Sequence, residues 1–425
     1  MTRMNKFVGY RCSLCGEGYS PLEVTYTCPK DGGNLDVVLD YDALKNKYKP
    51  EDILSRSDPS LWRFLPLLPV QEPSRAATPL HVAGGTPVYR LRRLAARLGL
   101  QSLWLKDESR NPTASFKDRA SAIVVARAQE ISAEVVVTAS TGNAGAALAG
   151  MAAAVGQRAI IFAPRSAPQA KVAQLLVFGA KVILVDGTYD DAFDLTVKAA
   201  EEFGWYCRNT GYNPFTAEGK KTAALEIWEW WEGAHEKWHE EVDADEDHVP
   251  LTIFVPVGDG NIISGLHKGF KDLYRLGWLP DVPRIIGVQA EGSAAISNAF
   301  HAGSEAIVPV SARTLADSIS VDLPRDGVRA VRATKETGGT YVNVSDEEIL
   351  QAIAELGTQG VFAEPAGAAA YAGLVKAAGS GVVGSEDPIL VLNTGSGLKD
   401  VRAAMQAVQP APIIEPTLEA VKQLL

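Results

Sequence analysis

The chain has 425 residues, of which 46% are hydrophobic, and a mean hydropathy of −0.01, enough apolar material for two or three domains and a large core. A formal net charge of −10 argues against a nucleic-acid-binding surface. No run reaches the roughly 18 apolar residues of a membrane helix, no apolar stretch of signal-peptide length opens the chain, and four cysteines make no disulfide framework, so the cytosol is the expected location.

In chain order, Cys12-Ser13-Leu14-Cys15 and Cys28-Pro29-Lys30-Asp31-Gly32-Gly33 read as two knuckles of a small zinc ribbon. The candidate ligands are Cys12, Cys15, Cys28 and Asp31, with Asp31 standing where a fourth cysteine is usual; a ribbon without metal is the alternative. Residues 1–39 form this cap. Residues 40–79, with Pro66, Pro69, Pro73 and Pro79, read as an extended arm wrapped around a larger body. Gly84-Gly85-Thr86-Pro87 opens that body. Strand-like runs at 103–106, 135–138, 159–162, 181–185, 252–255, 284–288 and 389–392 then alternate with Ala-rich helical runs, the pattern of an α/β protein with parallel-type sheets flanked by helices. A large lobe is expected from 80–113 and 221–410, a smaller one from 114–220, and a tail at 411–425.

The nine residues Asn111-Pro112-Thr113-Ala114-Ser115-Phe116-Lys117-Asp118-Arg119 lie between a strand and an Ala-, Val- and Ile-rich helix. Ser115 and Asp118 have the spacing of a capping box, which sets Lys117 in the first helical turn. The positive end of the helix dipole disfavours a second positive charge there and favours the neutral, nucleophilic amine that a Schiff base needs. An isolated lysine at a helix start is usually just a surface residue, so its neighbours decide.

Three later turns share one design, a buried strand running into a Gly- and hydroxyl-rich turn. Ligands of α/β sheets collect beyond the carboxyl ends of strands, where such turns converge. Ser140-Thr141-Gly142-Asn143-Ala144-Gly145 offers hydroxyls and N–H groups to a carboxylate, and the Asn143 amide to a phenolate oxygen. Gly258-Asp259-Gly260-Asn261-Ile262-Ile263-Ser264-Gly265 suits a phosphate at a helix N-terminus. Its glycine spacing resembles a dinucleotide fingerprint, but a lone match of that kind is weak and neither a paired acidic residue nor a preceding βαβ unit stands out, so nicotinamide binding is rejected. Asn393-Thr394-Gly395-Ser396-Gly397-Leu398-Lys399-Asp400 sets a hydroxyl at a strand end, a group that could face an aromatic nitrogen and, unlike a carboxylate, would not force it to hold a proton.

These four blocks, in this order, resemble the threonine synthases within the fold type II group of pyridoxal-phosphate enzymes, over about residues 12–400. The resemblance implies a two-lobed α/β fold with the cofactor, pyridoxal 5'-phosphate, in the cleft. It implies a homodimer, and a carbon–oxygen lyase that converts O-phosphohomoserine and water to threonine and phosphate. It implies that Lys117 holds the cofactor as a Schiff base and shuttles the Cα proton, and that Phe116 packs near the ring. Asn143 would bond the 3-hydroxyl, Thr394 would meet the pyridine nitrogen, and Gly258, Asp259, Gly260, Asn261 and Ile262 would cradle the cofactor phosphate. Ser140, Thr141 and Gly142 would receive the substrate carboxylate.

The chain departs from that pattern at Thr216 and Ser320, where arginines are usual, and at Ser396, where histidine is common. Loss of two phosphate grips points to a second reading, an ammonia-lyase or β-replacing synthase acting on serine, threonine or a related amino acid, unless Lys220, Lys221 or Arg325 supplies the charge. His235-Glu236-Lys237-Trp238-His239 matches the zinc-protease pattern, but its Trp- and Glu-rich surroundings read as a surface amphipathic helix leading to the acidic run 243–247. A non-catalytic metal-binding scaffold leaves the lysine block unexplained. Cys207 reads as a core residue.

Overall fold

The computed structural model describes residues 6–73, 78–242 and 249–424, so the acidic run 243–247 lies outside the described residues. β1 (Phe7–Cys12), β2 (Gly18–Tyr19) and β3 (Leu35–Leu39) form an antiparallel N-terminal sheet in the order β2-β1-β3. β4 (Val88–Arg90) and β5 (Leu103–Asp107) come next. β6 (Val135–Ala139), β7 (Arg158–Pro164), β8 (Lys181–Val185) and β9 (Tyr206–Cys207) pair in parallel in the order β8-β7-β6-β9. β10 (Thr252–Pro256), β11 (Arg284–Ala290), β12 (Tyr341–Val344) and β13 (Ile389–Asn393) join β4 and β5 in the order β12-β11-β10-β13-β5-β4. In this sheet β4 alone runs antiparallel to its neighbour.

Every residue of β6, β10 and β13 is buried. Such continuous apolar runs belong in parallel sheets covered on both faces, which is why they showed no alternation in the sequence. The expected α/β class is therefore what the chain forms. The strand ends at Ala139, Pro256 and Asn393 are followed directly by the three hydroxyl- and glycine-rich turns.

The helix Phe215–Val242 packs against both Lys117–Glu130 and Asn261–Leu276. Glycines make that approach possible. A Cβ on Gly219 would lie 2.3 Å from the Arg119 carbonyl oxygen, and one on Gly265 would lie 2.6 Å from Lys220 Cβ. Arg119 leaves the same contact as the centre of a buried ion network: its guanidinium donates to Glu108 Oε2 (2.7 Å) and Glu226 Oε2 (2.6 Å), and Lys106 Nζ donates to Glu226 Oε2 (2.8 Å). Glu226 also accepts the Gly85 N–H at 2.8 Å, tying the opening turn of the main body to the helix pair.

Two expectations are corrected. The stretch 40–79, expected as an extended arm, contains helices Tyr41–Lys47 and Pro50–Leu54 and a 3-10 turn Leu61–Leu67. Leu61, Trp62, Phe64 and Leu67 are buried by that turn, and burial of so much apolar surface outweighs the prolines. The capping box at Ser115 and Asp118 does not form. Phe116 is the N-cap and makes no side-chain capping bond, while the Asp118 carboxylate turns back to accept from the Thr113 N–H at 2.6 Å.

Candidate active site

The reason lies at the end of the neighbouring strand β13. Phe116 N–H donates to the Thr394 carbonyl (2.9 Å), Ser396 N–H donates to the Ala114 carbonyl (3.1 Å), and Ser115 bridges Gly395. The lysine loop is thus paired to the turn after β13, with Ala114 held at φ 63°. A left-handed alanine costs of the order of 1–3 kcal/mol and persists only where its surroundings over-determine it. The pairing delivers Lys117 and Thr394 to the same cavity.

That cavity, of about 540 Å³, is lined by Lys117, by Ser140, Thr141, Gly142 and Asn143, by Gly258, Asp259, Gly260, Asn261 and Ile262, and by Thr394. Phe116 does not line it; the ring is fully buried under the Arg119 guanidinium, 5.7 Å away. Gly258 and Gly260 are dictated by space: a Cβ on Gly258 would lie 2.7 Å from Ile319 Cα, and Gly260 has φ +87° and faces the Asp326 carbonyl. Successive N–H groups then open the 16-residue helix Asn261–Leu276 onto the cavity.

Burial draws the Lys117 amine down to about 8, against the opposing pull of Glu364 and with the help of Arg208. Among the described residues no carboxylate lies within ion-pair distance of it. Lys220, one helical turn beyond Thr216, lines the same cavity and is held well below the usual lysine range by burial and then by the charges of Lys117 and Arg208. Its Nζ donates to Asn261 Oδ1 at 2.5 Å, and Thr216 Oγ1 donates to the same oxygen at 3.2 Å. Arg208 is fully buried between Ser121 (3.3 Å) and Thr210 (2.6 Å), and its Nη2 has no hydrogen-bond partner among the described residues. Burial lowers Arg208 to about 10, while Asp259 is pushed up to about 7 by its own burial. Lys117 and Lys220 thus line the cavity as amines whose burial favours the neutral form, with the Arg208 guanidinium buried behind Thr210 rather than in the lining.

The three cations weighed in the sequence separate cleanly. Lys220 is in the cavity. Lys221 is buried outside it, between Glu218 (2.5 Å) and Asp272 (2.9 Å). Arg325 is at the rim, paired with Asp190 at 3.1 Å and lying over the Phe193 ring. Ser320 lines the cavity, whereas the Ser396 hydroxyl caps the turn Gly397–Lys399 by accepting the Leu398 N–H at 3.3 Å.

Sequence reasoning missed Glu364 and Arg208. Glu364 is buried, its pKa raised by that burial, and both its oxygens accept from Asn143 Nδ2 at 2.9 Å. Gly395 is the residue that admits it, since a Cβ there would lie 2.3 Å from Glu364 Oε1. The available signal was an acidic residue immediately before Pro365 in an otherwise small and apolar helix start. His235 and His239 meet each other edge-on and pack edge-on against Trp231 and Trp238 respectively along the long helix, and among the described residues the one metal-type cluster is Cys12, Cys15, Cys28 and Asp31. Cys207 is fully buried with its thiol pushed up to about 12 by that burial, which suits a core residue. No helix of the described residues is long and apolar enough to cross a membrane.

Residues 80–395 match the family described as "Pyridoxal-phosphate dependent enzyme". The chain is 37% identical to the threonine synthase of Methanocaldococcus jannaschii over 98% of both chains. It is 35% identical to that of Mycobacterium tuberculosis over 78% of this chain and 87% of the relative. Among solved structures it is similar in fold to an O-ureido-L-serine synthase (TM-score 0.64, 19% identity, 80% of this chain and 98% of that one). Threonine deaminase isoform 2 of Solanum lycopersicum is similar to the same degree (TM-score 0.63, 24% identity, 80% and 92%).

Proposed function

The chain belongs to the pyridoxal-phosphate dependent enzymes and, among them, to the threonine synthases, and from that premise we propose that its cavity converts O-phosphohomoserine and water to threonine and phosphate. The observation that carries the assignment of groups is Lys220 in the cavity lining, with the partly unpaired Arg208 guanidinium behind Thr210, in place of the arginines that Thr216 and Ser320 replace.

The residues fit pyridoxal phosphate. A glycine-built cradle opens a helix N-terminus, an amine of lowered pKa stands at a loop fixed from both sides, and a buried hydroxyl turn carries Thr394. In this reading Lys117 holds the cofactor, Gly258, Asp259, Gly260, Asn261 and Ile262 take its phosphate, Thr394 faces the ring nitrogen and Asn143 the ring hydroxyl, with Phe116 packed beneath the loop. When bound, the cofactor supplies an electron sink conjugated to the substrate amino group. Ser140, Thr141 and Gly142 bind the substrate carboxylate. Lys117 Nζ takes and returns the Cα proton, its lowered pKa keeping the neutral form within reach at physiological pH. Lys220 and Arg208 stabilise the charge that develops as the Cγ–O bond breaks and phosphate departs. A proton leaves Cβ as phosphate is expelled, Cγ takes up a proton, and the hydroxyl of water then adds at Cβ, its remaining proton balancing the one taken up at Cγ. A structural zinc at Cys12, Cys15, Cys28 and Asp31 completes the reading. So do a cytosolic location and a homodimer, for which exposed Leu184 on the edge strand β8 and exposed Leu176 and Val177 at the end of the preceding helix supply apolar surface.

The test is turnover of cofactor-loaded protein with O-phosphohomoserine, serine and threonine. Phosphate released one-for-one with threonine is expected; keto acid from serine or threonine, with O-phosphohomoserine inert, would sink the proposal. Two further results bear on the roles. Lys220→Gln should raise KM for O-phosphohomoserine about 10–150-fold, the equivalent of one charge-assisted contact of roughly 1.5–3 kcal/mol, and Thr216→Arg should restore much of it. With a lysine pKa of about 8, the neutral fraction is about a tenth at pH 7 and half at pH 8. Capture of pyridoxal phosphate by the cofactor-free protein should therefore quicken about fivefold between those values and level off above about pH 9, read by stopped-flow absorbance.

A further inference from the structure

Two turns of the N-terminal sheet have the same backbone construction. In the first, Gly16 N–H donates to the Cys12 carbonyl (3.1 Å) and Cys12 N–H to the Glu17 carbonyl (2.8 Å); in the second, Gly32 N–H donates to the Cys28 carbonyl (2.8 Å) and Cys28 N–H to the Gly33 carbonyl (2.9 Å). Gly16 and Gly32 share a left-handed φ of 75° and 72°. By this correspondence Asp31 occupies the position of Cys15. The four ligand atoms lie within 4.8 Å of one another, and Cys15 Sγ is 3.8 Å from Cys28 Sγ. A tetrahedron with metal–sulfur bonds of roughly 2.3 Å has an edge of about 3.8 Å. Backbone donors already point at the ligands: Leu14 N–H at Cys12 Sγ (3.3 Å) and Gly33 N–H at Asp31 Oδ1 (2.9 Å). Such donors orient ligands and soften thiolate charge.

The same turns reach the Lys220 end of the cavity, and the buried segment behind it, along two routes. Asn34, beside the second turn, donates to the Gly211 carbonyl, and Tyr26 stacks on Tyr212 at 4.5 Å while accepting the Cys207 N–H at 2.8 Å. Those contacts hold the segment that carries Arg208. On the other side, the Ser13 carbonyl, between two of the ligands, accepts from Arg332, and Asp36 pairs with Arg329 at 2.6 Å. Arg329 grips Asp326 (2.6 Å), which accepts from Asn261 Nδ2 (2.6 Å), the partner of Lys220.

We propose that the two turns bind one zinc-class ion through Cys12, Cys15, Cys28 and Asp31, and that this ion braces the phosphate-binding end of the cavity. Three thiolates and a carboxylate in tetrahedral array favour zinc over harder cations. The brace rests on the reading of Lys220 and Arg208 as the phosphate grip.

The experiment uses the full chain loaded with cofactor and grown with zinc, with inorganic phosphate as the probe in calorimetry. Expected are one equivalent of zinc per chain, its loss in Asp31→Ala and its retention in Asp31→Cys. Chelation should weaken phosphate binding about tenfold while the cofactor absorbance stays, and zinc should restore it. Should the stripped chain unfold, Asn34→Ala keeps all four ligands and cuts one tie; it should retain zinc and weaken phosphate binding about threefold. A chain purified without zinc overturns the metal site. Phosphate affinity that responds to Lys220→Gln but to neither zinc removal nor Asn34→Ala overturns the brace. Affinity that ignores Lys220→Gln sinks the anion-site reading itself, and with it the brace.

Discussion

Lys117→Ala should lower kcat for threonine formation by about 10⁴-fold or more, and the loaded protein should lose both its visible absorbance and its fixation by borohydride. The lysine is asked to do two things, to hold the cofactor and to move the Cα proton, and general base catalysis alone is worth about 10²–10⁴. Removing both roles in one substitution exceeds either. Lys117→Arg is the informative partner. It keeps a cation in the cavity but supplies no nucleophile, so a loss equal to that of alanine shows that the neutral amine is required and not merely its charge. A variant that turns over at more than a hundredth of the parent rate would refute the assignment. The fold should survive either change, because the lysine loop is held by Phe116 N–H, Ser396 N–H and the Thr113 contact to Asp118, none of which involves the lysine side chain.

How much of this was legible in sequence divides along local and non-local lines. β6, β10 and β13 were readable because a continuous apolar run bounded by a glycine-rich turn marks both the strand and its end. The convergence of the turns was readable because parallel sheets collect ligands beyond their strand ends. The capping box failed for the opposite reason. Its spacing was right, but pairing of 114–116 with 394–396, nearly three hundred residues away, sets the backbone of Ser115 and leaves its hydroxyl buried without a partner among the described residues. Arg208 went unmarked, and Lys220 could be named in sequence but not placed. A Lys-Lys pair inside Ala-Glu-Gly-Lys-Lys-Thr-Ala-Ala-Leu-Glu says that one lysine faces each side of a buried helix, not which side holds a ligand. Only the glycine contacts at 219 and 265, by setting the distances between three helices, send Lys220 to the cavity and Lys221 to Asp272.

Glu226→Ala should destabilise the cofactor-free protein by about 3–5 kcal/mol, read from the urea midpoint, because it leaves two buried cations with Glu108 as their one remaining carboxylate among the described residues. Arg119 and Lys106 are at most 1% exposed and share two carboxylates, of which Glu226 is the close one to Lys106 (2.8 Å, against 3.9 Å for Glu108). Burial by itself would raise the Glu226 pKa, but attraction to Arg119 and Lys106 outweighs it and holds the carboxyl far below its ordinary value of 4.5. A depressed carboxylate contributes stability that is present above its unfolded pKa and is lost as pH falls through the folded one. The parent should therefore keep this contribution through neutral and mildly acidic pH, and the gap between parent and Glu226→Ala should close only well below pH 4.5. The network also positions chemistry. Arg119 is two residues from Lys117, and Glu226 grips the Gly85 and Thr86 N–H groups, so its loss loosens the base of the lysine loop. A fall in kcat alongside the fall in stability is expected, without the rise in KM that marks Lys220→Gln. If Glu226→Ala instead costs less than about 1 kcal/mol, water or the remaining Glu108 screens the two cations, and the network is a packing feature rather than the anchor of the site.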